Sequence, residues 1–317
     1  MGVTSLLSTN PSAAGTRLSR WRSSPRWQMF VSSPLAAASA TWLLFVLVLA
    51  FVVAPLVVDI ANHQTIGMRF FAPFRFDKGF AFFLGADSLG RPIMLQLIVG
   101  ARTSVLIAIF SVGISATIGY TIGLISGYFG GWVDNILLRI ADIIHTVPSL
   151  LMALVVLFVL QPSILNLVIV LGITRIPVYL RTSRTQTMEV RERMFVEVAK
   201  AIGASDWRII TRDIAPLVFP TIRTLAMLEV AAVILSAASL TFLGIGLQRP
   251  DVDWGMMVSD GRAYLKSAWF VAVFPGIVIV LTALSANILS NWLRAVEDPA
   301  QSTLFFRARK KKRSSSQ

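Results

Sequence analysis

Apolar runs set the rhythm of this chain. A helix that crosses a bilayer needs about 20 apolar residues, and six stretches read as such helices: 36–58, 104–126, 146–162, 164–180, 217–246 and 269–292. The third and fourth are short and meet at a tight turn near Gln161-Pro162; the fifth is long enough to tilt or break. The first follows a leader of about 35 residues and is too long for the core of a secretory signal, so it reads as an uncleaved anchor. The pattern predicts an all-α, polytopic membrane protein. Its divisions are a basic tail over 1–35, an anchor over 36–58, an external loop with an amphipathic segment over 59–101, a bundle over 102–292 and a second tail over 293–317.

Composition agrees: 55% of residues are hydrophobic and 14% charged, against about 25% charged in soluble domains. The sequence has no Cys and two His, His63 and His145. Disulfides and thiolate sites are excluded, and a His-built metal centre is disfavoured. The formal charge of +13 is concentrated at the ends. Arg17, Arg20, Arg22 and Arg26 precede the first run, and a basic cluster from Arg307 to Arg313 follows the last. Such tails fit cytoplasmic retention and anionic lipid. No basic stripe interleaved with aromatics suggests nucleic acid. Six spans with two basic ends place both termini in the cytoplasm. The loops 127–145 and 181–216 then lie inside, with 59–103 and 247–268 outside. Arg181, Arg184, Arg191, Arg193, Lys200, Arg208 and Arg212 in the second inside loop agree with that orientation.

Within the second run, Gly119, Gly123 and Gly127 recur at i, i+4, i+8 and mark a face that admits close helix packing. The 181–216 segment is charged, yet Phe195, Val198, Ala199 and Ile202 form one apolar helical stripe. Gly203 suits a helix C-terminus, and Ser205 or Asp206 a following cap. Trp207, Ile210 and Ile214 suggest a second helix, closed by Pro216. A helix–turn–helix of this kind either covers the mouth of the bundle or docks on a soluble partner.

The stretch "EVAKAIGASDWRIITRDIAP" resembles the cytoplasmic signature loop of ATP-binding-cassette importer permeases. Glu197, Ala199, Gly203, Ile214 and Pro216 match its pattern, with Ala204 and Asp206 inside it. Val198 and Ala215 stand where Ala and Leu are usual. "FLGADSLGRP", "GARTSVLIA", "SGYFGGWVDNILLRIADIIHTVPSLLMAL", "ASLTFLGIGLQRPDVDWGMM" and "FPGIVIVLTALSANIL" extend the likeness over about 83–298, to the C-type permeases of dipeptide/oligopeptide importers. The resemblance implies the type I (MetI-like) architecture in a bacterial inner membrane. It also implies a heterodimer with a related permease, two cytoplasmic ATPases that hold ATP and Mg, and an external (periplasmic) substrate-binding protein. No cofactor is implied for this chain. The substrates implied are di- or oligopeptides; nickel chelates, glutathione and haem are carried by permeases of the same pattern.

Other constellations carry less. "GADSLGRP" nearly matches a phosphate loop, but Pro92 offers neither hydroxyl nor backbone N–H; Asp87 or Ser88 reads as a cap for the second span. Arg139 and Asp142 are spaced to pair on an amphipathic elbow, and Pro148 kinks or starts the third span. Glu229 falls near the middle of the fifth run, where a carboxylate marks a pathway or is held by a hydroxyl or Arg of another helix. Peptide permeases carry an acidic residue later, where this chain has Ala237. Asp253 and Trp254 suggest an external gate or a re-entrant packing loop. No catalytic motif is present, so ATP hydrolysis is assigned elsewhere. Two rivals remain: an ion-driven transporter, which calls for intramembrane charge pairs and internal repeats not apparent in the sequence, and a membrane scaffold for a cytoplasmic enzyme.

Overall fold

The computed structural model describes residues 29–297; the basic tails behind the topology reading lie outside them. The described residues are almost wholly helical, with one isolated β-bridge between Ala86 and Pro92. Among the described residues five helices are long and apolar enough to cross a membrane: α1 (Pro34–Asn62), α2 (Ile93–Phe129), α5 (Ile164–Arg191), α7 (Asp206–Phe242) and α9 (Phe270–Glu297). A sixth crossing needs the bent pair α3 (Gly131–Thr146) and α4 (Ser149–Leu160), which meet at 80°. The predicted third span is thus only half straight. Its 12-residue apolar part reaches about 18 Å, and Val147-Pro148 sets the bend because the residue before a proline avoids helical geometry.

Two short helices sit at opposite ends of the bundle, α6 (Met194–Ala201) and α8 (Trp254–Gly261). Several boundaries differ from the sequence reading. α2 begins at Ile93 behind an N-cap Pro92, so neither Asp87 nor Ser88 caps it. α5 runs on to Arg191, so the charged segment begins as a continuation of a span. Pro216 does not end a helix either. A π-helical turn, Ile209–Ile214, precedes it within the continuous α7. A second π turn, Leu49–Val53, precedes Pro55 in α1. In each case the proline ring would press on the carbonyl four residues back, and the wider turn gives it room.

The core is built on α2 and α5, which run parallel. A line of small residues on α2 at four-residue spacing (Ser111, Ser115, Gly119, Gly123, Gly127) lies along α5. A Cβ at Gly119 would stand 2.5 Å from the Tyr179 Cβ, one at Gly123 2.5 Å from that of Ser183, and one at Gly127 2.6 Å from the Arg184 carbonyl oxygen. The Ser111 hydroxyl donates across the seam to the Val168 carbonyl at 3.1 Å, and the Ser183 hydroxyl to that of Tyr120 at 2.9 Å. α1 lies on the rim: the Trp42 indole donates to Thr282 Oγ1 of α9 at 3.2 Å, while Leu35, Leu44, Val52 and Leu56 face outward.

Candidate functional site

At the α6 end, α6 stops in a left-handed turn. The Ala204 N–H donates to the Ala199 carbonyl and the Gly203 N–H to that of Lys200, both at 3.0 Å, with Gly203 at φ +82°. This is the Schellman arrangement, which glycine enters without Cβ strain. A Cβ at Gly203 would meet nothing within 4 Å, so the requirement is conformational and not one of crowding. Ser205 holds the next N-cap position without a side-chain bond. Asp206 turns to α2 instead: the Tyr128 hydroxyl donates to its Oδ1 at 2.5 Å, and Lys200 Nζ stands 5.0 Å from the Tyr128 ring centre. Arg191 donates to the Tyr128 carbonyl at 2.8 Å. Arg184 of α5 forks onto Asp134 of α3, with Nε and Nη2 each 2.5 Å from a carboxylate oxygen. Asp142 pairs with Arg181 at 2.7 Å, not with Arg139.

The α6 stripe faces away from the bundle. Met194, Phe195, Val198, Ile202 and Trp207 are exposed, Ile202 by 79%. Val196, Ile209, Ile210 and Ile214 turn inward and are buried, and Ala199 and Ala204 pack against them. Trp207 therefore leaves the stripe assigned to it, and Ile209 takes its place. Glu197 is exposed and makes no ion pair among the described residues.

Halfway along the bundle, Glu229 of α7 is buried and lies 3.3 Å from Arg175 of α5. Arg175 Nη2 donates to Ser236 Oγ at 3.0 Å. This is a charge pair between two spanning helices: an Arg of another helix was one of the holders the sequence allowed for Glu229, but the sequence did not point to Arg175. A lone Arg in the fourth apolar run and a lone Glu in the fifth were the signal for it.

At the opposite end the chain folds inward. Asp253, 1% exposed, caps α8 by accepting the Met256 N–H at 2.8 Å, and accepts the Thr241 hydroxyl at 3.0 Å. Burial pushes its carboxyl up to about 6, against the hydrogen bonds from Met256 and Thr241. The Trp254 indole donates to the Leu97 carbonyl at 3.0 Å. Both residues hold α8 against α2 and α7 and present nothing outward. Asp87 binds its own loop: it accepts the Leu89 and Arg91 N–H groups, the Arg91 guanidinium and Gln96 Nε2. The near-match to a phosphate loop is filled by that carboxylate. Among the described residues no group of three or more His, Asp or Glu is placed to hold a metal.

Residues 119–302 match the family described as binding-protein-dependent transport system inner membrane component. The chain is 34% identical over 275 residues to a glutathione transport system permease protein of Pectobacterium atrosepticum, covering 86% of this chain and 89% of that one. It is 34% identical over 271 residues to a probable D,D-dipeptide transport system permease protein of Escherichia coli, again 86% and 89%. A dipeptide transport system permease protein of Alkalihalophilus pseudofirmus is 39% identical over 215 residues, 68% of this chain and 71% of that one.

Proposed function

The chain belongs to the binding-protein-dependent transport system inner membrane components, and from that premise we propose that it forms half of an ATP-driven import pathway for di- or oligopeptides. A related permease supplies the other half, an external binding protein delivers the substrate, and two cytoplasmic ATPases hold the nucleotide and its Mg. This chain binds no cofactor of its own. Both termini and α6 lie in the cytoplasm of a bacterial inner membrane, and α8 lies on the far side. The dipeptide relatives support the substrate class. The relative from Pectobacterium supports glutathione, itself a tripeptide, as a second reading.

The observation that carries the ATPase contact is the outward stripe of α6. Met194, Phe195, Val198 and Ile202 are exposed on a segment bordered by Arg191, Arg193, Lys200, Arg208 and Arg212, a polar setting unlike the bilayer core. An apolar helix face beside Glu197, which is unpaired among the described residues, fits a groove on a soluble partner. Asp206, Lys200 and Arg191 tie the turn behind it to Tyr128 at the end of α2, so displacement of α6 reaches the α2–α5 seam. Ala199, Gly203, Ala204, Ile214 and Pro216 shape the support behind that face.

Gly203→Val strains the turn by about 1–3 kcal/mol. Glu197→Ala removes a charge whose pairing across an interface is worth about 2–5 kcal/mol when desolvated. Both variants should insert and keep the sister permease. Both should lose co-purifying ATPase or hydrolyse ATP without transport. Full ATPase recovery and full coupling in both would remove α6 as the docking element.

A further inference from the structure

The Arg175–Glu229 pair is incompletely satisfied. Arg175 Nη2 is spent on Ser236, and Nη1 faces Glu229 at 3.3 Å without hydrogen-bond geometry. Among the described residues Arg175 Nε and Glu229 Oε2 are buried and make no hydrogen bond, nor does the hydroxyl of Tyr179, one turn on from Arg175. Side chains that leave charged donors and acceptors unspent at mid-span are costly unless a further group completes them. The Glu229 side chain is 10% exposed and that of Arg175 20%, so the site opens on the arginine side.

The chemistry limits what can complete it. The pair is neutral as a unit. A lone anion or cation arriving there would leave one charge unpaired in a poorly hydrated setting. A zwitterion brings one of each and preserves neutrality. A guanidinium with a free Nε–H takes a carboxylate with two donors, and a carboxylate with a free oxygen takes an ammonium. A separate cavity of about 390 Å³ lies toward the α6 end, lined by Thr182, Thr221, Thr224, Leu225, Arg294 and Glu297; there Glu297 is already held by Arg223 and Thr224, which leaves the Arg175–Glu229 pair as the incompletely satisfied one.

Resting on the peptide-import reading, we infer that Arg175 and Glu229 form a zwitterion station on the pathway. Arg175 receives the carboxylate of the passing peptide and Glu229 its ammonium group, the pair opening for the peptide and closing behind it.

The test uses the complete transporter in proteoliposomes, with its binding protein and ATPases, and L-Ala-L-Ala and glutathione as probes. Two double variants are compared: the exchange Arg175→Glu with Glu229→Arg, and the neutral Arg175→Gln with Glu229→Gln. The exchange restores an ion pair but takes the guanidinium off Ser236 and reverses the direction of the station. The neutral pair keeps hydrogen bonding and removes both charges. Both should assemble with the sister permease, and uptake should fall about tenfold or more, the scale of losing a charge-assisted hydrogen bond. Wild-type uptake in the exchange or the neutral variant means the pair is only a structural tie, and the station is overturned. Failure of both variants to assemble also overturns it, as a packing role. If the wild-type transporter moves neither probe, the peptide reading itself fails, a result separable from the other two.

Discussion

Asp253 shows how one side chain's setting becomes a measurable property. Its carboxyl is buried, and its proton is held up to about 6 in the folded chain against an ordinary value of 3.8. A carboxyl that binds its proton more tightly when folded favours the fold below about pH 4. That contribution is lost as pH rises through about 6. Asp253→Asn keeps an acceptor for the Met256 N–H, and its amide can donate to Thr241. The variant should therefore melt higher than wild type at pH 7–8, by on the order of 1–3 kcal/mol, with the gap closing toward pH 4. Thermal melts of the purified complex across that range decide it. A gap independent of pH would mean that Asp253 does not titrate in the fold. The sequence left an external gate and a re-entrant packing loop both open for this stretch, and the burial of Asp253 and Trp254 agrees with packing. Asp253 and Trp254 stand in an outside loop by sequence, yet the chain doubles back and buries both.

The paired helices α2 and α5 rest on absent side chains. The four-residue repeat of Gly119, Gly123 and Gly127 was visible in the sequence, whereas the partner helix was not. Only the fold brings Tyr179, Ser183 and Thr187 against those glycines. Gly123→Leu would drive a side chain into the Ser183 Cβ and the Leu180 carbonyl, overpacking of at least about 1–3 kcal/mol. It should abolish recovery of folded complex. Gly113→Ala is the matched control on the same helix, because nothing lies within 4 Å of its added Cβ, and it should accumulate normally. Equal recovery of both would mean that the seam yields freely. The α6 stripe teaches a related point. Helical periodicity found an apolar face but not its direction, since Val196 and Ile209 meet the core while Phe195, Val198 and Ile202 turn away from it.

For the whole molecule, the described residues hold five helices long and apolar enough to cross a membrane and one bent pair that would make a sixth crossing; with six crossings the two ends of the chain would share one side. A reporter active only outside the cytoplasm should stay silent when fused after Gln317 and be active when inserted after Asp251. Activity at Gln317 would reverse the inside and outside assignments and place α6 away from any ATPase. The sequence by itself determined the helical class, the approximate crossings and the family, because these depend on the apolar content of each segment and on motifs short in chain distance. It located Glu229 and the α6 turn for the same reason. Only the tertiary structure decided that Glu229 faces Arg175, that Asp206 serves Tyr128 instead of capping a helix, that Pro216 rides on a π turn, and that α8 is folded inward. Each of these is a contact between segments far apart in the chain or a relaxation forced by packing, and such contacts follow from how helices meet.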